Sequence, residues 1–574
     1  MSCESTNETK DVFSYTRRDE FTSETLKIEI RNLPKHVGYD TLKKLLKRLD
    51  LKPLKIKLIG RAGSPTHSFV TFRTSEDREQ AINQLDQYLW KQNVLVVKTA
   101  NPIPDPLVEK RNERRSEDNC DSKRIKTLEG NEVSAEQLAD TLNDKIASLW
   151  RMSYSQQLVV KYDILKAFLL SLNKELAKIV SQSSEQSSQL SLWLTRAAKE
   201  FDNKCCPLQD IRVSTLINGY RNKCEFTIGI DKTVGFRLGL YKEGTVKVIS
   251  PPINCPIIGD QMRNALNAIQ TYVTSKSTLH GFDPETHSGH WIQSTVRTSS
   301  TGSMVIMALN PQQLTPEEIN REKTQIIDFF QSNPDFGVHS VFIHISSKRH
   351  EISNECIDHL FGESTISETI NLEPTLTFRI SPLAFFQINT LGAELCYKAI
   401  CDLIEPNAQL ILIDICCGTG TIGLSLASKV KKVFGIELNA DAIRDAKFNA
   451  QLNAISNVEF IEGKAESMIA SVLQSCGHSP VVAVVDPPRA GLNNSIIRAL
   501  RSHPLLKRLV YVSCEPNKAI KNLIDLCRPP SKTYKGQPFV PIQAIPVDLF
   551  PHTNRCELLL LFERLETNFV DFMS

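Results

Sequence analysis

Apolar and polar positions change period several times along the chain, and each change marks off a stretch. Residues 26–32 alternate at period two, as a half-buried strand does, and residues 39–49 then place Leu42, Leu45, Leu46 and Leu49 on one helical face. Residues 54–58 and 67–72 read as further strands, residues 75–89 as a helix with Ala81, Ile82 and Leu85 inward, and residues 94–97 as a closing strand. The order is βαββαβ. Residues 101–126 lose all apolar period: prolines at 102, 104 and 106 lead into mixed clusters of Arg, Lys and acids, which reads as a tether. Helical spacing returns at Leu138, Leu142, Ile146 and Leu149 behind a capping Ser134, and residues 154–180 extend it. These helices are expected to cover another domain's face and to carry no chemistry. Between residues 206 and 378 the pattern is β-rich, with a meander over 220–249, a helix over 261–274 and strands at 291–298, 304–309 and 341–346.

From residue 379 onward short apolar runs alternate with helical periods. Runs end on Asp414, Glu437 and Asp486, another begins at Arg508, and a last one begins at Glu557. Such alternation predicts a doubly wound sheet whose ligands sit beyond the carboxyl ends of its strands. The expected fold class is multidomain, α+β and α/β: a βαββαβ module at 24–101, a charged linker at 102–133, a helical segment at 134–205, a β-rich domain at 206–378 and the doubly wound domain at 379–566.

Composition narrows the setting. With 41% hydrophobic and 23% charged residues in 574, the chain is ordinary and globular, and a net charge of +3 makes any basic surface a local one. Fifteen cysteines include the adjacent pairs Cys205-Cys206 and Cys416-Cys417 but no Cys-x-x-Cys, so zinc and iron–sulfur spacings are missing and no metal is expected. Acids and bases mix in the first twenty residues and the longest apolar run is too short for a bilayer, so a cytoplasmic or nuclear setting without a membrane partner is expected.

The chemistry gathers around residues 409–437. A strand ends on Asp414, a turn carries Cys416, Gly418, Gly420 and Thr421, and a helix follows; the next strand ends on Glu437, where a ribose would lie if a nucleoside spanned the turn. No P-loop Lys-Ser/Thr follows the turn, and S-adenosylmethionine is the expected nucleoside cofactor in place of NAD or ATP. Gln387, at the entrance to a helix, is placed to hold the methionine end. A strand then delivers Cys514 to the same rim ahead of Pro516, which suits an exposed nucleophile, and Glu557 begins the last strand, where apolar neighbours would raise its pKa.

Taken together, Phe385-Phe-Gln-Ile-Asn, Asp414-x-x-Cys-Gly-x-Gly, Asp486-Pro-Pro-Arg, Val512-Ser-Cys-Glu-Pro and Pro551-His-Thr-x-x-x-Glu resemble the RNA uracil-C5 methyltransferases, from about Leu216 to Arg564. The resemblance implies a class I, S-adenosylmethionine-dependent enzyme. Cys514 would add to C6 of uracil, Glu557 would remove the C5 proton, and Gln387, Glu437 and Asp486 would line the cofactor pocket with Asp414, Cys416, Gly418, Gly420 and Thr421. Cys416 and Thr421 depart from the family's usual aromatic and Asn. Members that carry an iron–sulfur cluster modify ribosomal RNA; its cysteine spacing is absent here, which favours tRNA, with uridine 54 of the T-loop as the site of 5-methyluridine. A cytosine-C5 enzyme shares the Cys addition, but its nucleophile stands in a different sequence context.

The amino-terminal module is similar to an RNA recognition motif whose two signature strands are partly kept. Glu29 stands where that family has an aromatic, and His67 and Phe69 are the remaining stacking pair. In the central domain Tyr220, Arg221, Lys223 and Arg297 have a composition suited to RNA phosphate and unstacked bases. Two readings beside tRNA methylation stay open: ribosomal or other RNA as the substrate, and a protein that chiefly binds or folds tRNA while methylation is secondary.

Overall fold

The computed structural model describes residues 26–34, 37–61, 64–72, 74–100, 134–181, 189–238, 247–284, 286–346, 356–489 and 491–565. The tether expected at 102–133 lies outside the described residues. Residues 26–100 lie in one compact unit, and most of residues 134–565 in another.

In the first unit, Lys27–Arg31 is flanked by Ser64–Thr71 and Val96–Thr99, with Lys55–Arg61 beyond, all antiparallel. Period two sends Ile28, Ile30 and Val70 to one face, where Leu42, Leu45 and Leu46 of helix Tyr39–Arg48 and Ala81 and Leu85 of helix Ser75–Leu85 bury them. Each such Leu contributes about 1.5–3 kcal/mol on burial. The opposite face carries Glu29, Phe69 and Lys98 side by side, in the register Glu29 to Phe69 and Glu29 to Lys98. The βαββαβ order is therefore observed.

Among the described residues the second unit contains two large sheets and a two-stranded one. In the central one, Ile357–Gly362, Val338–Ile345, Gly302–Leu309, Trp291–Ser299, Lys223–Ile228 and Val234–Arg237 are successive neighbours. Val296, Val305, Met307 and Ile343 pack helices Asp260–Ser275 and Pro316–Ser332 on one face, while Met304, Ile306 and Phe342 turn to the other and join the core of the carboxy-terminal half. That explains why Gly302–Leu309 is apolar without alternation: it is buried throughout. The hairpin of Ile366–Ile370 with Leu376–Ile380 belongs to the same core, and residue 378, the expected domain boundary, lies inside its second strand.

The last sheet runs in the order Val458–Glu462, Lys432–Glu437, Ile411–Ile415, Val481–Val485, Leu506–Ser513, Glu557–Arg564, Phe539–Val547. Its first five strands are parallel, and Glu557–Arg564 alone runs opposite, pairing antiparallel with both Leu506–Ser513 and Phe539–Val547 to give a mixed sheet. Helices Tyr154–Ser181, Gln189–Glu200, Asn494–Ser502 and Pro516–Cys527 cover one face; Thr390–Ile404 and Ala440–Leu452 cover the other. Chain order reverses between Ile411–Ile415 and Val481–Val485, and an open sheet of this kind has its crevice beyond the strand ends at that point.

Candidate active site

The turn after Ile411–Ile415 is left-handed at three positions, Cys416 (φ 67°), Gly418 (φ 55°) and Gly420 (φ 81°). At Gly420 a Cβ would also come within 2.7 Å of the Phe460 ring, so glycine answers both backbone and packing demands there. Cys416 accepts the strained conformation while its amide donates to the Ile436 carbonyl, which ties the turn to the neighbouring strand. Beneath the turn, Asp414 is fully buried and accepts from the Gly423 amide at 2.9 Å. Burial raises its carboxyl to about 7, against the lowering effect of that hydrogen bond.

A cavity of about 990 Å³ opens beyond these strand ends, at the upper end of the roughly 300–1,000 Å³ typical of ligand sites. Gln387, Cys416, Gly418, Thr421, Glu437, Asp486, Cys514 and Glu557 all line it. Two expected cofactor contacts do not. Asp414 points under the turn, and Gly420 is turned toward Phe460, so both shape the turn from behind.

Each lining group has a local anchor. Glu437 ends its strand with Oε1 accepting from the Leu438 and Asn439 amides and Oε2 from Gly418, which leaves one acceptor position on Oε2. Gln387 precedes a helix capped by Asn389 and donates from Nε2 to Asp486 at 3.4 Å. Tyr397 donates to Thr421 at 2.9 Å, fixing that hydroxyl from below. Burial raises Asp486 to about 7, and burial together with the Asp486 charge raises Glu557 well above the ordinary carboxylate range. Glu557 is 4% exposed and lines the cavity. Cys514, half-buried between Leu506–Ser513 and Pro516–Cys527, is raised by burial and then by Glu557, while Arg489 opposes the shift.

Some lining residues escape a reading of the sequence. Phe385 is 60% exposed at the mouth while Phe386 beside it is in the core; an adjacent aromatic pair entering a helix has to send one ring outward. Arg489 and Arg555 both reach Glu515, at 3.4 and 3.0 Å, and stand beside the nucleophile candidate as one charged group. Lys145, Ile146 and Ser148 border the same cavity, which corrects the expectation that the helical segment only covers a face.

The candidate RNA contacts of the central domain separate. Tyr220 is 4% exposed and donates to the Pro551 carbonyl, and Arg297 is 3% exposed and donates to the Ala384 carbonyl. Both side chains are therefore used inside the protein, and Tyr220 also lines the large cavity. Arg221 and Lys223 are only half-buried; Arg221 borders the large cavity and Lys223 a smaller one of about 340 Å³. In the first unit His67 and Phe69 meet edge to face at 5.3 Å, half-exposed, and Glu29 beside them is paired with Arg31 at 2.8 Å and Lys98 at 3.4 Å. Among the described residues no group of three or more His, Cys, Asp or Glu is placed to hold a metal ion, and no helix is long and apolar enough to cross a membrane.

Comparison with known proteins bears on this arrangement. The sequence pattern of a family described as tRNA (Uracil-5-)-methyltransferase matches residues 352–564. The chain is 39% identical over 565 residues to tRNA (uracil-5-)-methyltransferase homolog A of Homo sapiens, covering 97% of this chain and 85% of that protein. It is also 39% identical over 439 residues to homolog B of Homo sapiens, covering 74% and 84%. Among solved structures, that of Pyrococcus abyssi tRNA (uracil-54, C5)-methyltransferase with S-adenosyl-L-homocysteine is similar at a TM-score of 0.50 and 21% identity, over 72% of this chain and 85% of that one.

Proposed function

The chain belongs to the tRNA (uracil-5-)-methyltransferase family, and on that premise we propose that it methylates C5 of uridine 54 in the T-loop of tRNA, with S-adenosylmethionine as donor. The observation that carries the reading is the meeting of Cys514, Glu557, Asp486 and Glu437 on one cavity from four separate strand ends. The turn fits a nucleoside: Glu437 keeps an acceptor position on the oxygen that meets Gly418, suited to ribose hydroxyls, and Gly418 has only the Phe385 side chain and carbonyl within 4 Å of where a Cβ would be. Gln387 would hold the methionine end, and Asp486 would stand between adenine and uracil.

The sulfonium supplies an electrophilic methyl group; the chain's residues do the rest. Uracil C5 is a weak nucleophile, so Cys514 Sγ, once deprotonated, adds to C6 and places the electron pair at C5 and O4. With the methyl group on C5, Glu557 takes the C5 proton, the C5–C6 double bond re-forms, and the bond from Sγ to C6 breaks. Burial of Glu557 beside Asp486 makes it a stronger base than an ordinary carboxylate. The T-loop uridine must leave its stack to reach the cavity, at a cost of about a few kcal/mol.

Residues 24–101 are read as an RNA-recognition-like module that presents His67 and Phe69, residues 134–205 as a helical segment, residues 206–378 as a β-rich domain from which Arg221 and Lys223 reach RNA, and residues 379–566 as the catalytic domain. Mapping 5-methyluridine in tRNA after incubation with the protein and donor tests the reading. Methyl groups at position 54 are expected, and a product at another base or only in ribosomal RNA would overturn it.

A further inference from the structure

The loop between strands Phe539–Val547 and Glu557–Arg564 forms one wall of the cavity through Phe550, Thr553, Asn554 and Arg555, and it ends on Glu557. Behind it lies helix Tyr154–Ser181, nearly four hundred residues earlier in the chain. Lys161, on that helix, is fully buried, as is Asp548 at the start of the loop. Its Nζ donates to Asp548 Oδ1 at 2.6 Å and to the Phe550 carbonyl at 3.0 Å. The Asp548 carboxylate also accepts from Tyr154 Oη at 3.0 Å and from the Phe550 amide at 3.2 Å. One turn along, Gln157 grips His552: its Oε1 accepts from the His552 amide at 2.7 Å and its Nε2 meets the ring Nδ1 at 3.1 Å. His552 itself sits at φ 66°, a conformation that a side-chain-bearing residue keeps only when its surroundings hold it there.

A buried ion pair is a poor device for stability alone, since apolar residues of similar volume often serve as well or better. This pair does something an apolar pair cannot: it fixes a backbone carbonyl, a backbone amide and a carboxylate of the loop at once. We propose that Lys161, with Tyr154 and Gln157, is a positioning residue for proton removal from C5, holding the Asp548–His552 backbone so that Glu557 meets the methylated carbon. The proposal rests on the reading of Glu557 as the base. It also gives the helical segment a task beyond covering the sheet.

Fluorinated substrate separates this from a loss of fold. In tRNA carrying 5-fluorouridine, Cys514 still adds and the methyl group still arrives, but no base can remove fluorine from C5, so the adduct persists and its formation does not depend on Glu557. For Lys161→Met, methylated product from ordinary tRNA is expected to appear at least about tenfold more slowly, as displaced catalytic groups do, with the fluorouridine adduct forming within about twofold of the wild-type rate. A denaturant-resistant protein–RNA adduct should then accumulate on ordinary tRNA. Equal slowing of both reactions, or slowing of neither, would overturn the proposal. Should Lys161→Met fail to fold, Tyr154→Phe decides by the same two rates, with slowed product and unchanged adduct expected. A Glu557→Gln control that turns over normally would remove the base assignment itself, a different failure from an unaffected Lys161→Met.

Discussion

The amino-terminal sheet and the carboxy-terminal sheet offer their chemistry in different places. In the first, candidate contacts lie on one open face, where alternate residues of neighbouring strands stand side by side: Glu29 opposite Phe69, and Arg31 opposite His67. In the second, both faces are closed by helices and the chemistry lies only at strand ends, where Glu437, Asp486 and Cys514 follow parallel strands and Glu557 opens an antiparallel one. A face tolerates exchange of one side chain, because each contributes a separate contact. A rim is expected to tolerate less, because its groups converge on one cavity. Glu29 illustrates the tolerance: a carboxylate occupies an aromatic's place and is neutralised by Arg31 and Lys98 without disturbing the sheet.

That difference can be broken or sharpened by substitution. Cys514→Ala is expected to reduce turnover at least about a thousandfold and to abolish the fluorouridine adduct, as loss of a nucleophile does; a methyl-transfer assay showing residual turnover near wild type would remove the rim's central member. Glu557→Gln should leave addition and methylation intact but trap the RNA, visible as a protein–RNA band that survives denaturant.

On the open face, Phe69→Ala should weaken tRNA binding by about 1–3 kcal/mol, roughly 5- to 150-fold, with the single-turnover rate of bound tRNA nearly unchanged. An unaltered dissociation constant would mean that this face meets something other than RNA.

Acidity gives a further distinction. Glu557 and Cys514 both have raised pKa values, and the proposed mechanism needs both deprotonated, so it predicts that kcat/KM falls as pH drops and is still rising above about pH 8.5, the ordinary thiol value. RNA affinity of the open face should not share that profile.

The smallest effect concerns the turn. Asp414 holds its proton more tightly in the folded state, at about 7, than in the unfolded chain, at about 3.9. Its contribution to stability is therefore fully present below about pH 4 and is lost as pH rises through 7. In Asp414→Asn the decline in Tm between pH 5 and 8 should flatten, since an amide oxygen can still accept from Gly423; an unchanged slope would mean that the carboxyl is not buried as described.

Local pattern accounted for much of this molecule. Period two placed Ile28, Ile30 and Val70 inward and Glu29, His67 and Phe69 outward, and runs ending on Glu437 and Asp486 marked the rim, because strand ends are written in short-range alternation. Helices Gln189–Glu200, Pro316–Ser332 and Asn494–Ser502 carry local signals of the same kind, apolar residues at helical spacing and, at Thr315 and Glu318, a capping box. Only tertiary structure decided that Tyr220 and Arg297 turn inward, that Asp414 and Gly420 support the turn from behind, and that Lys161 reaches Asp548 across 387 residues. The sequence by itself determined which side chains could do the chemistry, through type and spacing along each strand. Which of them meet at one cavity depended on contacts between distant segments, and those distances in space are not encoded in any local period.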